Sequence, residues 1–484
     1  MLQAVVIIAL MVGAMMTTAG PRRDVDFWWH VALGDQFRAH TPSSQIGQWT
    51  AFPGLPTWRS GQAWTEISMS LLDQHLPVTS YLWWRALTLA LALITLSWAT
   101  GVWSAGVSAT TPTSSAIRRW PAWVAFLAGV WTVTGFTQER PQQISYICYP
   151  LAGALIAQVL RPAECTRLDR LTFCTIIGAT ALTTFLWVQF HQGWLLACGC
   201  LVLAIMLGLR HLRAAWFLVL TLGVVALAAA SNPWGFAAPA AARHLAASSS
   251  ALVEWQPTSL ISLPAAGLVT LLVGFVAVWV SGPRITAEIV IVLVLLVSAA
   301  TAARGIAPAV LLAAPILSRH AGSPVAPPLK TQVTCLAALF GTAVWVSSGL
   351  GPAASDHVTD RQASVARLAA AAICQAPTAH VTIATAYNDS GAALYGARRS
   401  PCASEHQINV VLDGRADRNG ATAISRWLAV ELAHEGWWST WTTVAPTMAI
   451  LPRDSPLLAP LSAHGWRIVD DTSVDLVVIA PEPT

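Results

Sequence analysis

The sequence is poor in charge and has almost no lysine. Asp, Glu, Lys and Arg make up only 10% of the 484 residues, where a soluble domain carries about 25%, and Lys330 is the single lysine. Mean hydropathy is +0.57. An ordinary cytosolic enzyme is excluded on that composition. The chain also lacks a Walker-type phosphate loop and a Gly-x-Gly-x-x-Gly turn, so nucleotide phosphates would find no glycine-rich cradle. It has no repeat of fixed period and no low-complexity tract beyond Ala-rich stretches. The net charge of +4 comes from arginines at the ends of apolar segments. Such arginines orient helices in a bilayer, and nucleic acid is not expected as a partner.

Tryptophan is abundant, with 24 residues. Pairs such as Trp28-Trp29, Trp83-Trp84 and Trp437-Trp438 flank apolar runs, where an amphipathic indole anchors at headgroup level. Most cysteines lie in or beside apolar runs without metal-ligand spacing. Cys374 and Cys402 fall instead in the polar C-terminal region, where an oxidising compartment would let them pair.

Apolar runs long enough to span a bilayer centre on residues 3–20, 81–103, 120–136, 143–160, 172–190, 193–209, 214–230, 262–281, 286–302, 305–318 and 332–350. At about 1.5 Å per residue against ~30 Å of hydrocarbon, they predict an α-helical polytopic membrane protein with about 10–11 transmembrane helices. The first run lacks a charged n-region and is followed by Pro21-Arg22-Arg23, so a retained first helix is expected. With the N-terminus in the cytoplasm, alternate short loops hold Arg118 and Arg119, Arg161, Arg167 and Arg170, Arg210 and Arg213, Arg284, and Arg319 with Lys330. The opposite short loops hold only Arg140 and Arg304, and this asymmetry sets the expected orientation.

The predicted organisation is a transmembrane domain over 1–350 that includes a first outer loop at 21–80, a connector at 351–369, and a small extracytoplasmic α/β domain at 370–484. In the last region β-like runs at 380–386, 407–412, 447–451, 466–468 and 474–480 alternate with helical stretches at 421–436 and 456–464, which predicts a mixed sheet.

The most informative segment is Asp24-Val25-Asp26-Phe27-Trp28-Trp29-His30, just after the first helix. Two carboxylates flanking one residue, with an imidazole four positions on, can hold a proton, a divalent cation or a sugar hydroxyl; an acidic helix cap is the plainer reading. Other ionisable groups stranded in apolar surroundings fall on the same expected side: Glu66, Glu139, Arg140, His191, His244, Glu254 and Arg304. Such groups at membrane depth mark functional sites by default. The alternatives are that Glu139, Arg140 and Arg304 pair inside a helix bundle, and that His191 is a satisfied interfacial histidine. In the C-terminal region Asp413 and Arg415 occupy a polar turn after a strand, either as a recognition element or as a self-satisfied turn. Asn388-Asp389-Ser390-Gly391 reads as a turn.

The run DVDFWWHVALGDQF, followed by TPSSQIGQWTAFPGLPTWRSGQAWTEISMSLL, resembles the first outer loop of bacterial membrane glycosyltransferases of the GT-C class. Further stretches follow in order: ERPQQISY (139–146), FLWVQFHQGWLLA (185–197), SNPWGF (231–236), VEWQPTS (253–259), ARGIAP (303–308), AYNDSGAALYG (386–396) and VVLDGRADRNG (410–420). The resemblance implies a GT-C-like fold in the bacterial plasma membrane and transfer of a hexosyl or pentosyl unit from a polyprenyl-phosphate sugar. The acceptor would be an envelope glycan, lipid or protein. It gives Asp24 or Asp26 the acceptor-activating role with His30 beside it, and Arg140 or Arg304 the donor phosphate, which a guanidinium pairs bidentately. His191 and Glu254 would contact sugar or acceptor. No resident cofactor is required; a divalent cation on Asp24, Asp26 and His30 is an alternative. A non-catalytic scaffold of the same fold and, behind it, a transporter are the competing readings. The transporter is disfavoured by the scarcity of ionisable residues in the inner half of the helices.

Overall fold

A computed structural model describes residues 2–19, 24–39, 48–55, 58, 60–77, 79–103, 120–160, 170–208, 212–232, 262–280, 286–321, 329–347, 361–471 and 476–481. The chain divides into two compact units: Met1–Gly20, Thr79–Ala238 and Glu254–Ser355 form the first, and Pro21–Val78, Pro239–Val253 and Asp356–Thr484 the second.

The first unit is helical. Among the described residues it holds eleven apolar helices: Leu2–Met16, Ser80–Ala99, Trp120–Gly135, Gln142–Val159, Arg170–Phe190, Trp194–Gly208, Leu212–Ser231, Leu263–Val280, Thr286–Thr301, Ile306–Ser318 and Leu329–Ser347. Each overlaps one of the eleven apolar runs. Ser80–Ala99 is the one described helix that length and composition alone qualify to cross a bilayer. The expected ten or eleven crossings therefore stand as eleven apolar helices. The Ile306–Ser318 helix is the innermost: every one of its residues is buried, and Val310, Leu311, Leu312 and Ala314 have no exposed surface. Around it the distribution of side chains is inverted relative to a soluble bundle. Leu227, Val273, Trp279, Val280 and Val297 are more than half exposed, whereas Arg85 and Glu139 are fully buried.

The second unit contains a five-stranded mixed sheet in the order β2-β1-β3-β5-β4, built from β1 (His380–Thr385), β2 (Gln407–Val410), β3 (Met448–Pro452), β4 (Trp466–Asp470) and β5 (Leu476–Pro481). β1 pairs parallel with β2 and β3, and β5 pairs antiparallel with β3 and β4. The two modes follow from the connections. Helices Ser390–Arg398 and Ala416–Glu431 carry the chain across the parallel half, while a short link joins β4 back to β5. Buried Phe52, Leu412, Trp427, Trp441, Leu451 and Ile479 belong to one core cluster. Cys374 and Cys402 are joined by a disulfide.

Three features of this unit depart from the sequence reading. Residues 361–369, expected in the connector, belong to the Arg361–Ile373 helix, which packs on Ser390–Arg398. Asn388–Gly391 does not remain a turn: Tyr387–Asp389 is a single 3-10 turn that opens the Ser390–Arg398 helix. The long first loop forms two helices, Phe27–Ala39 and Ala63–His75, and lays residues 49–52 against the free edge of β2. There the Ala51 N–H donates to the Val410 carbonyl at 2.8 Å and the Val410 N–H to the Trp49 carbonyl at 2.8 Å.

Candidate functional site

The second unit gathers residues from the two ends of its sequence. Asp24 is buried, and its Oδ1 accepts the Asp26 backbone N–H at 2.9 Å, an Asx turn that launches the Phe27–Ala39 helix. Asp26 itself is half-buried. His30 and Glu66 face each other across the Phe27–Ala39 and Ala63–His75 helices. One turn beyond His30, Gly34 permits the approach: a Cβ there would stand 2.0 Å from the Glu66 carbonyl oxygen.

The Glu66 carboxyl has no exposed surface. Its Oε2 accepts the Ser60 hydroxyl at 2.6 Å, its Oε1 accepts the Gln62 amide at 3.4 Å, and Oε1 lies 3.2 Å from His30 Nδ1. Burial pushes its pKa up to about 8, against the lowering effect of Ser60, Gln62 and the Arg415 charge. Distance alone would allow an imidazolium-carboxylate pair, but stripping two charges of water is the dominant cost here. Burial therefore favours the neutral acid form of Glu66, which can donate to His30 Nδ1. The His30 ring lies against Trp29, with centroids 3.6 Å apart.

Beyond β2 the chain turns through Asp413-Gly414-Arg415. Asp413 Oδ2 accepts Trp49 Nε1–H at 2.7 Å and Arg415 Nε–H at 2.8 Å, and its Oδ1 accepts the Arg415 backbone N–H at 3.0 Å. Burial alone would raise this carboxyl, but the Arg415 guanidinium, its hydrogen bonds and the Arg418 charge outweigh burial and hold it below the ordinary carboxylate value. The guanidinium of Arg415 lies over the rings of Trp58 and Trp49, 4.6 and 4.9 Å from their centroids. Gly414 seats the turn on the other half of the site. A Cβ there would fall 2.2 Å from Asp26 Oδ1 and 2.5 Å from Trp29 Nε1. That indole N–H is buried without a hydrogen-bond acceptor among the described residues. Asp24, Asp26, His30, Glu66, Asp413 and Arg415 thus belong to one constellation around Trp29 and Gly414.

The remaining candidates lie elsewhere. In the first unit Glu139 and Arg85 are both fully buried, with Oε1 and Nε 3.1 Å apart. Arg85 is thus an ion-pair partner that the sequence reading had placed at Arg140 or Arg304. Arg140 is half-buried, and its carbonyl accepts Trp84 Nε1–H at 3.4 Å. Arg304 is half-buried in the Ala303–Gly305 turn. His191 Nδ1 accepts the Gly193 N–H at 3.0 Å and is 2.7 Å from the Ser145 hydroxyl, which itself accepts Trp187 Nε1–H at 2.7 Å. An imidazole that accepts at Nδ1 is neutral with its proton on Nε2. Glu254 and His244 lie outside the described residues.

The metal alternative does not assemble. Among the described residues no group of three His, Cys, Asp or Glu side chains is placed to hold an ion. Asp24 uses an oxygen to shape its turn, and His30 turns Nδ1 to Glu66. No step is therefore routed through a cation. Sequence reasoning passed over Arg85, although a charge inside the apolar run 81–103 was the same signal that picked out Glu139. It also passed over Trp49, Trp58 and Ser60, whose roles follow from tertiary contacts, and over buried Glu288, which pairs with Arg319 at 2.5 Å.

No family model matches the chain, and no curated protein does. Solved structures do. The archaeal oligosaccharyltransferase AglB from Archaeoglobus fulgidus, in complex with an inhibitory peptide and a dolichol-phosphate, superposes with a TM-score of 0.52 at 8% identity, covering 93% of this chain and 69% of that one. ArnT from Cupriavidus metallidurans in the apo state superposes with a TM-score of 0.51 at 15% identity, covering 99% of both chains. At these identities the likeness is one of fold: the chain has the GT-C fold of membrane glycosyltransferases.

Proposed function

We propose that the chain is a polytopic membrane glycosyltransferase that moves a hexosyl or pentosyl unit from a polyprenyl-phosphate donor to an envelope glycan, lipid or protein acceptor. The acceptor is met on the outer face, with the N-terminus cytoplasmic and the sheet domain extracytoplasmic. The observation that carries the reading is the constellation around Gly414, where Asp26 is half-buried beside a buried indole N–H that lacks an acceptor. The GT-C fold supports the reaction class, since AglB was solved with a dolichol-phosphate. The apolar side chains exposed on the first unit, around an ion pair buried inside it, support the membrane setting.

In this mechanism the carboxylate of Asp26 takes the proton of the acceptor hydroxyl as that oxygen attacks the anomeric carbon. The bond from the anomeric carbon to the phosphate oxygen breaks, and the polyprenyl phosphate leaves with the electron pair. A single displacement inverts the anomeric configuration. Asp26 is the stronger candidate for the base because Asp24 is buried and spends Oδ1 on the turn that presents Asp26. Glu66, as a neutral acid, fixes the tautomer of His30 and so presents Nε2–H as a donor to sugar or acceptor oxygens. Asp413 and Arg415 hold the turn that covers Asp26. Arg140 and Arg304 are the candidates for the donor phosphate, because a guanidinium fork matches phosphate oxygens.

The purified protein, supplied with defined polyprenyl-phosphate sugars, tests this reading. Asp26→Asn is expected to lower transfer by about 100-fold or more, the scale of a lost general base, and Asp24→Asn by less. Full transfer by the Asp26→Asn protein would remove the base from the mechanism. A wild-type protein that turns over no donor would favour the non-catalytic scaffold.

A further inference from the structure

Within the second unit, a cleft of about 540 Å³ opens between the C-terminal ends of the Phe27–Ala39 and Ala63–His75 helices and the chain just after Ser390–Arg398. Its polar lining is Asp35, Arg38, Asp73, Gln74 and Arg399. None of these belongs to the constellation around Gly414.

The lining is a closed network. Arg399 Nη2 donates to Asp35 Oδ2 at 2.9 Å, and its Nη1 to Asp73 Oδ2. Asp73 is almost fully buried and also accepts the Tyr395 hydroxyl at 2.8 Å. Ser70 donates to Asp35 Oδ1 at 2.6 Å and accepts from Arg38 Nη1 at 3.1 Å, while Arg38 Nη2 donates to the Gln74 carbonyl oxygen. Asp35, Arg38 and Arg399 nevertheless keep about a third of their side-chain surface exposed. Planar polar groups are therefore locked in place and still face the cleft, so a ligand would not bear the cost of ordering them.

The charge balance selects the ligand. Two guanidiniums and two carboxylates sum to zero, which withholds the surplus positive charge a phosphate requires and the surplus negative charge a metal ion requires. A sugar hydroxyl donates and accepts at once, so adjacent hydroxyls can bridge a carboxylate oxygen and a guanidinium N–H without net charge. The volume lies within the range of about 300–1,000 Å³ usual for small-ligand sites.

We propose that this cleft binds a neutral oligosaccharide, as an acceptor-glycan site separate from the constellation around Gly414. The transferase reading supplies the reason a glycan would be there, and binding is measured without turnover. The experiment places the full-length protein in nanodiscs and measures its binding to an array of neutral di- to hexasaccharides of glucose, galactose, mannose and arabinose, with phosphorylated counterparts alongside. Neutral glycans are expected to bind. Arg38→Met, which removes a charged donor, and Gln74→Leu, which removes the amide that holds that donor, both at exposed positions, are each expected to weaken binding by at least about tenfold. The proposal is overturned if no neutral glycan on the array binds, if only phosphorylated glycans bind, or if both cleft variants bind like wild type. A protein that binds neutral glycan through this cleft but transfers no sugar would separate the two proposals, sinking the transferase and keeping the site.

Discussion

The two units treat charge in opposite ways. In the helical unit, buried charges meet in close ion pairs, Arg85 with Glu139 and Glu288 with Arg319, the latter with His320 Nε2 3.9 Å from the same Glu288 oxygen. In the sheet unit buried carboxyl groups share partners: Asp413 serves Trp49 and Arg415 together, and Glu66 serves Ser60, Gln62 and His30. A pair surrounded by hydrocarbon-like packing can only hold itself together. A network rich in hydroxyls and amides can also keep a carboxyl protonated, expose a carboxylate beside it, and present donors to a substrate. The proposed proton transfer therefore falls to the sheet unit, and the two helical ion pairs serve architecture in this reading.

The sharpest way to break this contrast is to remove half of the helical pair. Arg85→Leu leaves Glu139 buried without its guanidinium and is expected to destabilise the protein by about 3–5 kcal/mol, whereas Arg85→Leu with Glu139→Leu should recover most of that loss, because two apolar side chains need no mutual neutralisation. Unfolding of the purified protein in detergent measures both. A double variant no more stable than the single one would mean that the pair has a role beyond neutralising itself.

The next largest effect is expected from Glu66, and its sign differs. Its folded pKa, about 8, lies above the ordinary carboxyl value of 4.5, so the folded state holds the proton more tightly than the unfolded chain does. The stability this confers is complete below pH ~4.5 and is lost as pH rises towards about 8, a change of a few kcal/mol at most. Glu66→Gln should flatten the stability profile over that window. Wild-type protein whose stability rises from pH 5 to pH 8 through this residue would contradict the protonated assignment.

The disulfide offers a third comparison, since it lies in the sheet unit alone and closes a loop of sequence separation 28. Cys374→Ser with Cys402→Ser is expected to lower the stability of that unit by roughly 3 kcal/mol. Proteolysis or hydrogen exchange should show the loosening confined to the sheet unit, with the helices of the other unit unchanged. Equal loosening of both units would show that they unfold together.

How far the sequence carried these conclusions also differs between the units. Every apolar run became a helix, because a long apolar stretch in a chain so poor in charge has few other ways to satisfy its backbone. The five strands were legible from their β-branched and apolar runs, with ends displaced by at most two residues. The helices of the first loop were not. Phe27–Gly34 is buried all round, so it shows no amphipathic period to read. Asp24, Asp26 and His30 could be singled out as a motif, and Asp413 and Arg415 as a turn. Their meeting depends on Gly414 and on Trp49 docking along β2, which are long-range contacts with no local signal. Arg85 was legible and was passed over.

The smallest effect should come from Arg361, which bonds Asp389 at 2.6 Å through Nη2 and at 3.0 Å through Nε while its own side chain is 48% exposed. Water already solvates much of that guanidinium, so the pair gains little over its separated partners, and Arg361→Gln is expected to cost no more than about 1 kcal/mol. Asp389 is nearly buried at the start of the Ser390–Arg398 helix, where the backbone N–H groups favour a carboxylate even without the arginine. Raising the salt concentration should shrink the difference between the two proteins further, as it does for exposed pairs. Arg85→Leu should respond far less to salt, because ions do not reach a pair with no exposed surface. Equal salt sensitivity in both variants would mean that solvent reaches the helical pair, and the contrast between the two units would then lose its physical basis.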